Sequence, residues 1–142
     1  KHPVVFDVLQ DWSTHEDQAI RYYSGMANYS IRFDLASMKR GRLWLDLGQV
    51  REMAAVRLNG HELGVVWKKP YRVEISAAVQ AKNNELEIKV ANLWPNRLIG
   101  DAALPAEKQI TWSTYKPFTA DTPLLPSGLL GPVTLWLAEE KP

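Results

Sequence analysis

Apolar and polar residues alternate with a period of two along much of this chain, the pattern of strands with one face buried and one solvated. In Glu85-Leu86-Glu87-Ile88-Lys89-Val90 every apolar residue alternates with a charge. Tyr29, Ile31 and Phe33 alternate with Ser30, Arg32 and Asp34, and Leu43, Leu45 and Leu47 with Arg42, Trp44 and Asp46. Val133, Leu135 and Leu137 alternate with Thr134 and Trp136. With further strands at Val4–Leu9, Ala19–Tyr23, Ala54–Leu58, Glu62–Trp67 and Tyr71–Ile75, the pattern predicts about nine short strands and no long helix. Ser76 is a good N-cap for one helical turn over Ser76–Gln80. The alternation nominates Leu43, Leu45, Leu47, Val56, Leu58, Leu86, Ile88 and Val90 as core.

Turn residues agree with this reading. Asn59-Gly60 is a strong hairpin signal because both residues tolerate positive φ. Asn83-Asn84 precedes the cleanest strand, and Gly41 and Gly48 bracket Leu43–Leu47. Strands spaced by roughly ten residues indicate an all-β antiparallel sandwich of jelly-roll type. Seven of the nine prolines fall from Pro95 onward. Trp94–Pro132 is therefore expected to form long, stiff loops around one strand at Gln109–Trp112, with Ser127-Gly128 as a turn into the last strand. Loops of that length on a rigid scaffold are usually functional or form interfaces. No repeat or linker is visible, so residues 1–142 read as one domain.

Composition narrows the functions. Hydrophobic residues make up 46% and charged residues 23%, as in a folded domain. Lys plus Arg is 17 against 16 for Asp plus Glu, a net charge of +1 that argues against nucleic acid or an anionic membrane as partner. The chain has no Cys, which removes disulfides, thiolate nucleophiles and thiolate metal sites. No apolar run approaches the roughly 18 residues of a membrane span. The opening at Lys1 without a leader reads as a mature product or an excised domain. Six Trp suit either a sandwich core or a protein that binds flat ring surfaces.

The search for chemistry finds few positive signals. His2, His15 and His61 have no partner at ligand spacing and read as solvated loop residues rather than a metal site. Phosphate-binding loops and nucleophile elbows are missing. Glycoside hydrolysis needs two carboxylates about 5–10 Å apart. Asp46, Asp101 and Glu62 are conceivable members, but nothing in the sequence pairs them. The sequon Asn28-Tyr29-Ser30 lies inside a predicted strand, where a chance match is the simpler reading. Two constellations stand out: Leu63–Tyr71, in which a strand ends at Trp67 and Pro70 turns the chain before Tyr71, and Asn92–Asp101, which gathers Asn96, Arg97 and Asp101 beside Trp94. Sugar recognition uses this mixture of an aromatic face with Asn, Asp and Arg hydrogen bonding to neighbouring hydroxyls. The alternative is a loop that caps its own sandwich, with Trp94 packed inward and Arg97 paired with Asp101.

The runs Tyr22-Tyr23-Ser24-Gly25, Leu45-Asp46-Leu47-Gly48 and Val56–Gly60, followed by Leu63-Gly64, Trp67, Pro70-Tyr71, Asn84-x-Leu86 and Val90-x-Asn92, resemble the sugar-binding jelly-roll domain of glycoside hydrolase family 2. Trp94-x-Asn96-Arg97-Leu98-Ile99-Gly100-Asp101, Leu104-Pro105, Thr111-Trp112 and Ser127–Val133 are similar to the C-terminal galactose-binding-like domain of enzymes related to family 106 α-L-rhamnosidases. The resemblance covers Phe6 to Leu137. One departure is the hairpin at Ala81-Lys82-Asn83-Asn84, where the family usually carries Gly followed by Asn.

This resemblance implies a non-catalytic β-sandwich accompanying a separate catalytic barrel in a periplasmic or secreted bacterial enzyme. Its expected partners are a plant cell-wall or pectic glycan and the parent catalytic domain. The leading expectation is a carbohydrate-binding module whose site gathers Trp67, Tyr71, Trp94, Asn96, Arg97 and Asp101. The alternative is an interaction domain that packs on the barrel and shapes its cleft. No cofactor is expected. The one ion the resemblance leaves open is a structural Ca²⁺, which such domains often hold, although this chain has no dense acidic loop for it. Trp44 and Trp136 fall on outward positions of their strands. If the Pro-rich loops cover them, the sheet face offers no platform and the sandwich ends become the site.

Overall fold

A computed structural model of the chain describes residues 3–37 and 41–138. His2 and Pro142 lie outside the described residues. The strands are β1 (Met26–Phe33), β2 (Arg42–Asp46), β3 (Gln49–Arg51), β4 (Met53–Leu58), β5 (His61–Val66), β6 (Arg72–Glu74), β7 (Asn84–Ala91), β8 (Gly128–Gly131) and β9 (Thr134–Ala138). They form antiparallel sheets ordered β1-β7-β4-β5, β6-β2-β9 and β3-β8. The all-β antiparallel sandwich expected from the alternation is the fold of the protein.

Register follows the alternation. Val56 stands opposite Ile88, and Leu58 opposite Leu86, so a whole face of β4 and β7 turns inward together. These side chains meet Leu45, Leu47, Val50, Val73 and Leu129 from the other sheets in one buried cluster. Seven of the eight nominated core residues are buried; Leu43 is half-buried. Ile31 faces the same way as Leu86 but is 60% exposed, at the edge strand of its sheet, where no further strand pairs among the described residues.

Turn chemistry explains the hairpins. Asn59 and Asn83 both take positive φ, 52° and 57°. Asn83 thus adopts the left-handed conformation that Gly favours; Asn is one of the few other residues that does so readily. The adjacent Asn84 is fully buried, and its amide is satisfied by Asn59, Gln80 and Phe33.

Several local expectations are corrected. Val4–Leu9 forms no strand; Phe6 and Leu9 only lean on the core. In place of a strand at Ala19–Tyr23 the chain forms a short helix, α1 (Gln18–Arg21), because Asp17 accepts a capping bond from the Ala19 N–H at 2.8 Å. Gln109–Trp112 is also not a strand, since the Ile110 and Thr111 N–H groups donate to the Asp101 carboxylate instead of a ladder. Ser127-Gly128 does not turn the chain into the last strand: Gly128 opens β8, which pairs with β3. The turn after Ile75 is closed by the Val79 N–H on the Ile75 carbonyl, while the Ser76 hydroxyl accepts from the Leu43 N–H and caps nothing.

Candidate functional site

The Trp94–Asp101 segment is not a loop. It contains a second helix, α2 (Pro95–Ala102), with Pro95 in its first turn, where a missing N–H costs nothing. Its polar residues point inward. The buried Asn96 accepts from the Leu125 N–H at 2.8 Å and donates to the Leu125 carbonyl at 2.7 Å. Asp101, also buried, accepts from the N–H groups of Ile110 and Thr111 at 3.1 and 2.7 Å and from the Thr111 hydroxyl. Its other oxygen lies 2.8 Å from the Arg97 guanidinium without hydrogen-bond alignment, so that contact is ionic. Burial works against ionisation of Asp101, but the bonds from Thr111 and Ile110 and the charge of Arg97 together hold its carboxyl below the usual range. Helix α2 therefore grips the long segment after it at two points.

Arg97 also spreads its guanidinium over the Tyr22 ring, 5.8 Å from the centroid. The helix can approach Tyr22 because position 100 is Gly: a Cβ there would sit 2.6 Å from Tyr22 Cγ. Gly128 allows a similar approach by Trp12, whose ring would lie 2.5 Å from an added Cβ. These two contacts explain the Asn-Arg-Leu-Ile-Gly-Asp and Ser-Gly-Leu-Leu-Gly-Pro runs as packing devices.

Of the six candidate site residues, Tyr71 belongs to the buried core. Asn96, Arg97 and Asp101 make the internal bonds just described. Trp67 and Trp94 are 65% and 74% exposed. Met53 and Ala54, at the start of β4, pair with Ala91 of β7 and Val66 of β5, so Trp67 and Trp94 leave the four-stranded sheet at the same end. Their strands are two ladders apart, roughly 10 Å. Trp94 is not packed inward, as the self-capping alternative required, although the Arg97–Asp101 pair of that alternative is present. A small open niche lies between α2 and the following segment, against Leu98, Asp101, Thr111, Tyr115 and Phe118.

The three carboxylates weighed for hydrolysis lie on separate elements, each beside an arginine: Asp46 with Arg72, Glu62 with Arg57, and Asp101 with Arg97. Among the described residues no group of three or more His, Asp or Glu could hold a metal ion, and no helix is long and apolar enough to cross a membrane.

Residues 7–124 match the family model described as glycosyl hydrolase 2 galactose-binding domain-like. The chain belongs to this family. A Formosa agariphila protein carrying the name β-glucuronidase is 37% identical over 97% of this galactose-binding-like domain, which spans 14% of that relative. The solved rhamnosidase of Novosphingobium sp. PP1Y superposes with a TM-score of 0.83 at 44% identity, over 89% of the domain and 12% of the enzyme. The Ruminococcus gnavus β-glucuronidase gives 0.57 at 25% identity, over 64% of the domain and 16% of the enzyme. The domain is thus a small part of the glycoside hydrolases it resembles.

Two features of the domain escaped the sequence reading. Helix α2 is masked by the many prolines that follow it, although Pro95 in a first turn and the Arg97/Asp101 spacing of four are both visible signals. Trp44 and Trp136 are direct cross-strand partners, which no periodicity reveals.

Proposed function

We propose that this domain is the non-catalytic ancillary module of an exported, α-L-rhamnosidase-like bacterial glycoside hydrolase, and that it contacts a plant cell-wall or pectic glycan through Trp67 and Trp94. The observation that carries this reading is the pair of exposed indoles at one end of the four-stranded sheet. Their ring faces suit sugar C–H groups, and the scaffold holds their backbones in place, which lowers the ordering cost of binding. Asn96, Arg97 and Asp101 serve the site indirectly, by fixing the helix that Trp94 precedes. Tyr71 contributes to the core of the sandwich rather than to the contact. The arginine-paired carboxylates support a module without hydrolytic chemistry of its own, and the reading calls for no cofactor. Export to the periplasm or beyond the cell fits a polymeric glycan as target.

The test is affinity gel electrophoresis of the 142-residue chain in pectic, hemicellulosic and β-glucan polymers. Retention in at least one polymer is expected, and Trp67→Ala and Trp94→Ala should each weaken it about tenfold. No turnover of aryl rhamnosides is expected from the chain alone. A second reading, packing on the parent barrel, is favoured by Met26, Met53, Leu93 and Leu125, which are exposed apolar residues of the same region. Absence of retention in every polymer would select it.

A further inference from the structure

We infer that the outward face of the β6-β2-β9 sheet is a second glycan platform, built on Trp44 and Trp136 for an uncharged sugar chain. This rests on the reading of the domain as a glycan binder, but it concerns a different sheet from the one that carries Trp67 and Trp94.

Arg42, Trp44 and Asp46 alternate with buried Leu45 and half-buried Leu43, so they share the outward face of β2. Trp136 stands directly opposite Trp44 on one side, and Glu74 opposite it on the other. Side chains so paired have Cβ atoms about 4.5–5.5 Å apart, so the two indoles start from neighbouring positions on one face. Trp136 is 55% exposed and Trp44 half-buried.

The face is organised before any ligand arrives. The Trp136 indole N–H donates to the Thr134 hydroxyl at 2.9 Å. Arg72 lies over the Trp136 ring, 5.0 Å from its centroid, and its Nε donates to the Asp46 carboxylate at 2.7 Å. Glu74 accepts from the Ser76 hydroxyl at 3.1 Å. Aromatic surface framed by pre-placed planar donors and acceptors suits a sugar ring, which presents C–H groups on its face and hydroxyls at its edge.

Charge selects the class of occupant. Arg42 and Arg72 are balanced by Asp46 and Glu74, so the face attracts neither polyuronate nor phosphate backbone. A docked protein is a poorer match, because interface cores are depleted of charge and these charges stand within one residue row of the two indoles. A neutral, hydroxyl-rich chain satisfies both halves of the face.

The experiment is affinity gel electrophoresis of the 142-residue chain in galactan, arabinan, xylan and polygalacturonate, with Trp136→Ala, Trp136→Tyr and the double variant Trp67→Ala/Trp94→Ala. Melting curves verify folding, and sedimentation velocity reads association state. Trp136→Ala should weaken retention about tenfold in at least one neutral polymer. Trp136→Tyr should recover most of it, and the double variant should keep a Trp136-dependent part. Wild-type retention lost only in the double variant overturns the platform and leaves the glycan reading intact. No retention of the wild type in any polymer overturns both. A dimer that Trp136→Ala dissociates identifies the face as a contact between copies and overturns the proposal.

Discussion

The four-stranded sheet and the region from α2 to β8 are held by different means. Strands β4 and β7 meet the other layer through apolar side chains alternating at every second position, with Val56, Leu58, Leu86, Ile88 and Val90 all essentially inaccessible. The later region has few such residues. There, Asn96 and Asp101 reach from α2 to the backbone of Leu125, Ile110 and Thr111 and take the place of a ladder. An apolar core is distributed, so that no single contact defines it; a polar clamp is concentrated in two side chains. Loss of packing should therefore act on the whole fold, and loss of a clamp on one segment.

The largest effect is expected from Ile88→Ala, about 2–5 kcal/mol through lost transfer energy and a cavity, read by chemical denaturation as a single cooperative shift. Asn96→Ala should cost less, about 1–3 kcal/mol, because it strands the Leu125 N–H and carbonyl. Its signature should be local: limited proteolysis between residues 104 and 127 should accelerate while the strands stay protected. If Asn96→Ala unfolds the protein as globally as Ile88→Ala, the two regions form one cooperative unit and the contrast is lost.

Acid sharpens the same contrast. Asp101 and Asp46 both titrate below the usual carboxylate range in the folded protein. For Asp46 burial opposes ionisation, but the bonds from Arg72 and the Gly48 N–H outweigh it. A depressed folded pKa gives stability that is full above the unfolded value, about 4, and lost as pH falls through the folded one. Protease resistance of the 104–127 segment should fall as pH drops below about 4, and Asp101→Asn should flatten that dependence. The smallest change is expected for Trp136→Ala, within about 0.5 kcal/mol of wild type, since the ring is mostly solvated. A Tm drop of many degrees would show that Trp136 holds the sheet together.

The legible parts of the fold were those governed by periodicity. Alternation in β2, β4 and β7 identified both strand and inward face. It failed where one side chain replaced a repeating pattern. Asp17 nucleated α1 in a stretch with strand composition, and Asp101 took the N–H groups that would have paired Gln109–Trp112 as a strand. Chemical type alone nominates the six site residues, and type does not encode direction. Asn96, Arg97 and Asp101 turned inward because α2 packs Gly100 against Tyr22, a long-range contact that one sequence does not display. Trp67 and Trp94 stand exposed on the connections that follow β5 and β7.

Asp11 and Trp12 tie the beginning of the domain to its last quarter. The Trp12 N–H donates to the Ser127 carbonyl, the Ser127 N–H donates to Asp11, and the Trp12 ring lies on Gly128. Contacts spanning 116 residues are late by necessity, because neither partner has anything to meet until both exist. During synthesis the four strands of the larger sheet are complete once Ala91 has emerged, yet β8 is complete only at Gly131. At about 5–20 residues per second that sheet waits several seconds with part of its inner surface bare. The vulnerable moment in the life of this domain thus falls before it is finished, and a chain cut short of Ser127 would never leave it.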